Sequence, residues 1–146
     1  MSDCRTSCWK TEDGKRNVTD PRLVLDASAL LALLRSEPGG EVVADLFPHV
    51  VISSVNLSEV VAKLAEHGMP DQAIRSAFAD LQLDVVDFDT EAALTAGFLR
   101  PATRSQGLSF GDRACLALAW ARGTAAVTSD RSWLGLLPQV NVRVIR

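Results

Sequence analysis

Cysteine is scarce in this chain. Cys4, Cys8 and Cys115 form an odd set with no framework of paired spacings, which excludes a disulfide-stapled secreted fold and suits a reducing cytoplasm. Cys4 and Cys8 would make half of a structural zinc site, but Cys115, His49 and His67 stand at no spacing that completes it, so free thiols are expected. An excess of positive charge is missing too. With a net charge of −3, the molecule as a whole does not attract nucleic acid, and any such contact must be local, through a patch of arginines. The polar opening MSDCRTSCWKTEDGKRNVTD lacks an apolar h-region, so no signal peptide is expected. Apolar runs such as ALLALL are far too short to span a bilayer, and no internal repeat is present.

What remains is 146 residues with 47% apolar content, enough for one sizeable core and too short for two ordinary domains. Residues 1–20 are polar and unpatterned, which predicts a flexible arm, with one domain over 21–146. Within that domain, short apolar runs alternate with helix-period segments. Strands are expected at 22–25, 50–53, 83–88, 125–129 and 141–146. Helices are expected at 28–36, 40–47, from Val55 to Gly68, from Pro70 to Leu81, at 89–100 with a disturbance at Pro101, at 110–122, and briefly over RSWLGLL. This alternation predicts an α/β fold of three layers, α/β/α, around a mainly parallel sheet of four to five strands. In such sheets, ligands bind beyond the carboxyl ends of the strands.

Acids fall at those ends. Asp26 directly follows the first strand, Asp130 follows the strand AAVTS, and Asp112 sits in the first turn of the long helix. Glu59 lies on a helix whose apolar face is Leu57, Val60, Val61 and Leu64. Each has a plain structural alternative. Asp26 and Asp130 would serve as N-caps, SFGD has capping-box spacing, and Glu59 with Lys63 makes a favourable i,i+4 pair. Convergence favours the other reading, because crowded carboxylates repel and a hard divalent cation relieves the repulsion. Mg²⁺ or Mn²⁺ fits all-oxygen donors, four acids suffice for two ions and three for one. Arg113, Arg131, Arg104 and Lys63 are candidate phosphate contacts, with salt bridges or solvated faces as the alternative. Ser28 and Thr128 are candidate water-positioning or carboxylate-orienting hydroxyls.

The blocks LVLDASALLALL, SSVNLSEVVAKL, GLSFGDRACLALA and VTSDRSW, in this order, resemble the PIN-domain ribonucleases, specifically the VapC toxins of bacterial type II toxin–antitoxin pairs. The resemblance runs from about Leu23 to the end of the chain. It implies that Asp26, Glu59, Asp112 and Asp130 are the catalytic, metal-binding acids, with Asn56 completing an N-x-x-E pattern. It implies a cytoplasmic endoribonuclease dependent on Mg²⁺ or Mn²⁺, with one or two ions. Its implied partners are an RNA substrate, a second copy in a homodimer, and a VapB-like antitoxin forming a heterotetramer or larger assembly, with no membrane involved. The apolar positions of LLALLRSEPGGEVVADLF and AIRSAFADLQL would form the antitoxin groove or else ordinary core. Phe110 and Ser129 depart from the residues usual in the family, Leu and Ala.

Three other readings compete. A haloacid-dehalogenase-like phosphatase requires a second Asp two residues after the first, where Ser28 stands. A receiver-like signalling domain requires its phosphorylated Asp on a middle strand, where this chain has VVISS. An inactive interaction module of the same fold would keep the acids as helix caps alone.

Overall fold

Three short apolar runs become the inner strands of a sheet because their side chains are covered on both faces, while two mixed runs form its more exposed edges. In the computed structural model, which describes residues 22–146, they are β1 (Leu23–Leu25), β2 (Val50–Ser53), β3 (Asp84–Val86), β4 (Ala125–Thr128) and β5 (Asn141–Val144). The arm expected over residues 1–20, with Cys4 and Cys8, lies outside the described residues. All neighbours pair in parallel in the order β3-β2-β1-β4-β5. Side chains alternate with the two-residue period of a strand. Val24, Val51 and Ala126 enter one core layer, while Leu25, Ile52 and Val127 enter the other.

The second layer is filled by α1 (Ala27–Leu34), α2 (Gly40–Leu46), α3 (Ser54–Glu66) and α4 (Asp71–Leu81). The first is filled from α5 (Thr90–Phe98) and α7 (Phe110–Arg122), which follows the short α6 (Arg100–Thr103). The three-layer α/β/α expectation therefore holds, and the sheet is wholly parallel. Most apolar positions of the two stretches read as groove or core pack into the second layer: Leu30, Leu31, Ala32 and Val43 are buried, and Leu46, Phe78 and Leu81 are partly buried against them.

Several boundaries differ from the sequence reading. The helix expected over 89–100 ends at Phe98, and α6 begins separately at Arg100. Pro101 has no amide hydrogen to continue the ladder, which accounts for the break. Pro70 stands at the N-cap of α4 rather than inside its first turn. RSWLGLL yields only a 3₁₀ turn at Arg131–Trp133, whose Trp133 is driven into the core. The loop around RSQG holds a second 3₁₀ turn, Arg104–Gln106, closed by Gly107 at φ 66°.

The helices α1 and α2 meet so closely that Gly40 has no room for a side chain. A Cβ there would lie 2.5 Å from the Ala32 carbonyl oxygen and 3.0 Å from its carbon, both backbone atoms of α1. Gly40→Ala is expected to cost about 1–3 kcal/mol by forcing the helices apart. The loss would read as a lowered urea midpoint at unchanged m-value.

Candidate acidic site at the carboxyl edge of the sheet

The chain leaves β1 on one side toward β2 and β3, then returns on the other side as β4, so the switch point of the sheet lies between β1 and β4. Asp26 stands at that point. Its amide donates to the Val127 carbonyl oxygen at 2.8 Å, tying the two strand ends together. Although Asp26 occupies the N-cap position of α1, its side chain makes no capping hydrogen bond. Instead its Oδ2 accepts from the Ser28 hydroxyl at 2.7 Å and from the Thr128 hydroxyl at 3.0 Å. Those hydroxyls also accept from the Ser129 and Asp130 amides, at 3.1 Å each, so the loop after β4 is fastened to the same cluster.

Asp26 is 4% exposed. Burial pushes its carboxyl up to about 6, and the charge of Asp112 adds to the rise, while the Ser28 and Thr128 hydrogen bonds oppose it. The Glu59 carboxyl is raised as well. Burial leads, the Asn56 hydrogen bond opposes it, Asp112 repels, and Lys63 on the next turn of the same helix attracts. Asp112 thus acts electrostatically on both Asp26 and Glu59, which brings these three acids into one field.

Glu59 is held from the side. Asn56, fully buried, donates through Nδ2 to Glu59 Oε2 at 3.2 Å and to the Gly111 carbonyl oxygen at 2.9 Å. Its Oδ1 has no hydrogen-bond partner among the described residues. Gly111 is a residue that motif reading passed over. A Cβ on it would overlap the Glu59 carboxyl group. The signal was a glycine in the first turn of a helix, a position with no intrinsic need for one.

Asp112 and Asp130 keep the capping roles that their positions allow. Ser109 Oγ accepts from the Asp112 amide at 3.1 Å, and Asp112 Oδ2 accepts from the Ser109 amide at 2.9 Å, a complete capping box. Asp130, exposed, accepts from the Ser132 amide at 2.9 Å. Among the described residues, no three His, Cys, Asp or Glu side chains are gathered closely enough to hold an ion as they stand.

The basic residues divide. Arg113, expected at substrate phosphate, donates to the Ala96 carbonyl oxygen of α5 at 2.9 Å and lies over the Phe110 ring, so its guanidinium is engaged by the fold. Lys63, Arg104 and Arg131 are exposed, Lys63 one turn beyond Glu59 and the two arginines in the 3₁₀ turns. An open cleft of about 510 Å³ lies between the first turns of α3 and α7. Ser54, Val55, Ser58, Glu59, Ser109, Phe110 and Gly111 line it.

With both strands and site in place, the family is clear. The PIN domain model matches residues 23–135, and the chain belongs to the PIN domain family. Its fold is shared with DNA-bound VapBC from Salmonella typhimurium, at TM-score 0.68 and 21% identity over 86% of this chain and 98% of that one. VapBC-5 from Mycobacterium tuberculosis is similar at TM-score 0.59 and 24% identity, covering 86% of this chain and 98% of that one. VapBC2 from Rickettsia felis, bound to a DNA fragment from its promoter, gives TM-score 0.65 and 18% identity, over 83% and 96%. No curated protein matches the chain by sequence. Among the described residues, no helix is long and apolar enough to cross a membrane.

Two expectations follow from the geometry. Because the folded state favours protonated Asp26, the group stabilises the fold below about pH 4, and that contribution is lost as pH rises through about 6. A rise of this size is worth about 3 kcal/mol. Asp26→Asn should therefore be more stable than wild type at pH 7.5 by about 2–3 kcal/mol, with the two converging at pH 4 in urea titrations. Gly111→Ala should push the Glu59 carboxyl into solvent without unfolding the helix. Carbon-detected NMR titration would then find the Glu59 pKa falling toward the ordinary carboxylate range.

Proposed function

We propose that the chain is a metal-dependent endoribonuclease acting as the toxin of a type II toxin–antitoxin pair. The observation that carries this reading is Asp26, buried at the switch point of a PIN domain, with Glu59 pinned by Asn56 against Gly111, one residue before Asp112. Structural acids have no reason to be desolvated together at the one edge of a parallel sheet where ligands bind. The donors suit Mg²⁺ or Mn²⁺, since they are carboxylate oxygens with a buried, unpartnered amide oxygen, Asn56 Oδ1, beside them. Asp26, Glu59, Asp112 and Asp130 would hold one or two ions. A bound divalent cation supplies Lewis-acid stabilisation of phosphate charge and a water of lowered pKa.

The rest belongs to this chain's own side chains. Ser28 and Thr128 orient Asp26 through its Oδ2. Asn56 orients Glu59 and locks it to the start of α7. The first turns of α3 and α7 face the cleft with positive dipole ends, favourable to a phosphodiester. Lys63, Arg104 and Arg131 are exposed cations available to the RNA backbone, while Arg113 serves the fold.

The similar solved structures are themselves VapBC assemblies, some with DNA. By extension we assign a VapB-like antitoxin as partner, a homodimer as the working unit, a heterotetramer or larger complex with antitoxin, and the cytoplasm as the compartment. The domain is assigned to 21–146, with 1–20 as an arm. An inactive interaction module of the same fold is the competing reading, and it draws on the caps made by Asp112 and Asp130.

Purified chain free of antitoxin should cut a mixed RNA pool in Mn²⁺ and not in EDTA. Asp26→Asn and Glu59→Gln should each lower the rate at least about 100-fold, the loss of a ligand or its orientation. Mn²⁺ should also raise the melting temperature of the wild type and not of these variants, by roughly 5–10 °C at saturation. Cleavage left intact in Asp26→Asn would overturn the assignment.

A further inference from the structure

An exposed aromatic ring stands beside this site. Phe110 opens α7, one residue before Gly111 and two before Asp112, and it lines the same cleft as Glu59. The residue is 51% exposed, whereas the apolar side chains of α7 from Ala114 to Ala119 are buried. Core burial therefore does not account for a large ring at this position. The ring is also held in place. Phe88 meets it edge to face, with centroids 5.4 Å apart and planes at 89°, and the Arg113 guanidinium carbon lies over it, 5.9 Å from the centroid. Both holders are themselves fastened. Arg113 donates to the Ala96 carbonyl oxygen at 2.9 Å, and the Phe88 amide donates to Ser54 Oγ, on the cleft wall, at 3.0 Å.

We infer that Phe110 is a stacking platform for an RNA nucleobase adjoining the phosphate that is cut, an inference that rests on the ribonuclease reading above. Single strands are held by aromatic faces together with backbone contacts, and a stacked base is worth roughly fivefold to 150-fold in affinity. A chain of net charge −3 gains little from general electrostatic attraction, so stacking supplies affinity that charge does not. A ring already fixed by Phe88 and Arg113 loses little freedom when a base arrives. The ring lines the same cleft as Glu59 and stands two residues from Asp112, so the stacked base sets the register of the strand against the acids.

The test measures binding of fluorescently labelled oligo-A and oligo-U RNA, about ten nucleotides long, by anisotropy. Ca²⁺ replaces Mg²⁺, since it neutralises the acids while fitting octahedral geometry poorly. Wild type is compared with Phe110→Ala, Phe110→Leu and Phe110→Trp. Stacking predicts binding about tenfold weaker for both Ala and Leu, more so on oligo-A, with Trp at least as tight as Phe. The Leu variant keeps the apolar contact with Phe88, so its loss belongs to the ring and not to misfolding. Equal binding by Leu and wild type would overturn the platform while leaving the nuclease reading intact. A wild type that binds neither RNA would overturn both.

Discussion

A carboxyl group kept out of water at the end of the central strand is the constraint around which the rest is arranged. Asp26 leaves β1, the middle strand of five, with β4 bonded to its amide and α1 beginning at its own position. Two hydroxyls soften the burial of its charge without cancelling it, because the carboxyl is still pushed up to about 6. Nothing in the sheet needs an acid there. A parallel sheet is satisfied by apolar residues on both faces, as Leu25, Ile52 and Val127 demonstrate on one and Val24, Val51 and Ala126 on the other. The group sits where local packing rules are broken, and such departures concentrate where proteins work.

The helix α7 joins that constraint to the second acid. Cys115, Ala117 and Ala119 of this helix are buried in the layer that covers the sheet, with Cys115 Sγ 4.0 Å from the Val24 carbonyl oxygen of β1. The first turn of α7 comes so near α3 that a side chain at Gly111 would overlap the Glu59 carboxyl group. Asn56 then bonds both sides of the contact, the Glu59 carboxylate and the Gly111 carbonyl. The position of Glu59 therefore depends on how the first turn of α7 is seated against α3. Glu59 and Lys63, which the sequence offers as a simple surface pair, belong to a half-buried arrangement whose larger influences are desolvation and Asn56.

Much of this was legible because strands buried on both faces must be short apolar runs, and helices between them must carry periodic ones. VVIS and FGDRACLALAWAR sit in the structure at the very bounds that pattern and punctuation indicate. The four acids could be singled out for their places relative to strand ends. Side-chain direction could not. Asp26 turns inward to Ser28, two residues on, and to Thr128, 102 positions away, and the second partner has no local signal. The fate of Arg113 depends on a carbonyl of α5, and the need for Gly111 on a helix remote in sequence. Contacts of that kind arise from strand order, and the chain passes from β3 to β4 without any local mark of where β4 will insert.

Capping and ion binding compete for the same oxygens only in part. One amide occupies a single acceptor position on Asp112 and one on Asp130, while a carboxylate offers about four. Each cap also fixes the direction of its carboxylate, which reduces what must be ordered when a ligand arrives. The other two acids are steered by side chains instead, Asp26 by Ser28 and Thr128, Glu59 by Asn56. These two carry raised pKa values, and Asp112 contributes to both. At neutral pH the desolvated, mutually repelling charges destabilise the free protein. A cation among them would relieve the repulsion and offset the desolvation of both carboxylates in one step. The feature that weakens the fold when it stands alone is therefore the same one that would give the site its affinity.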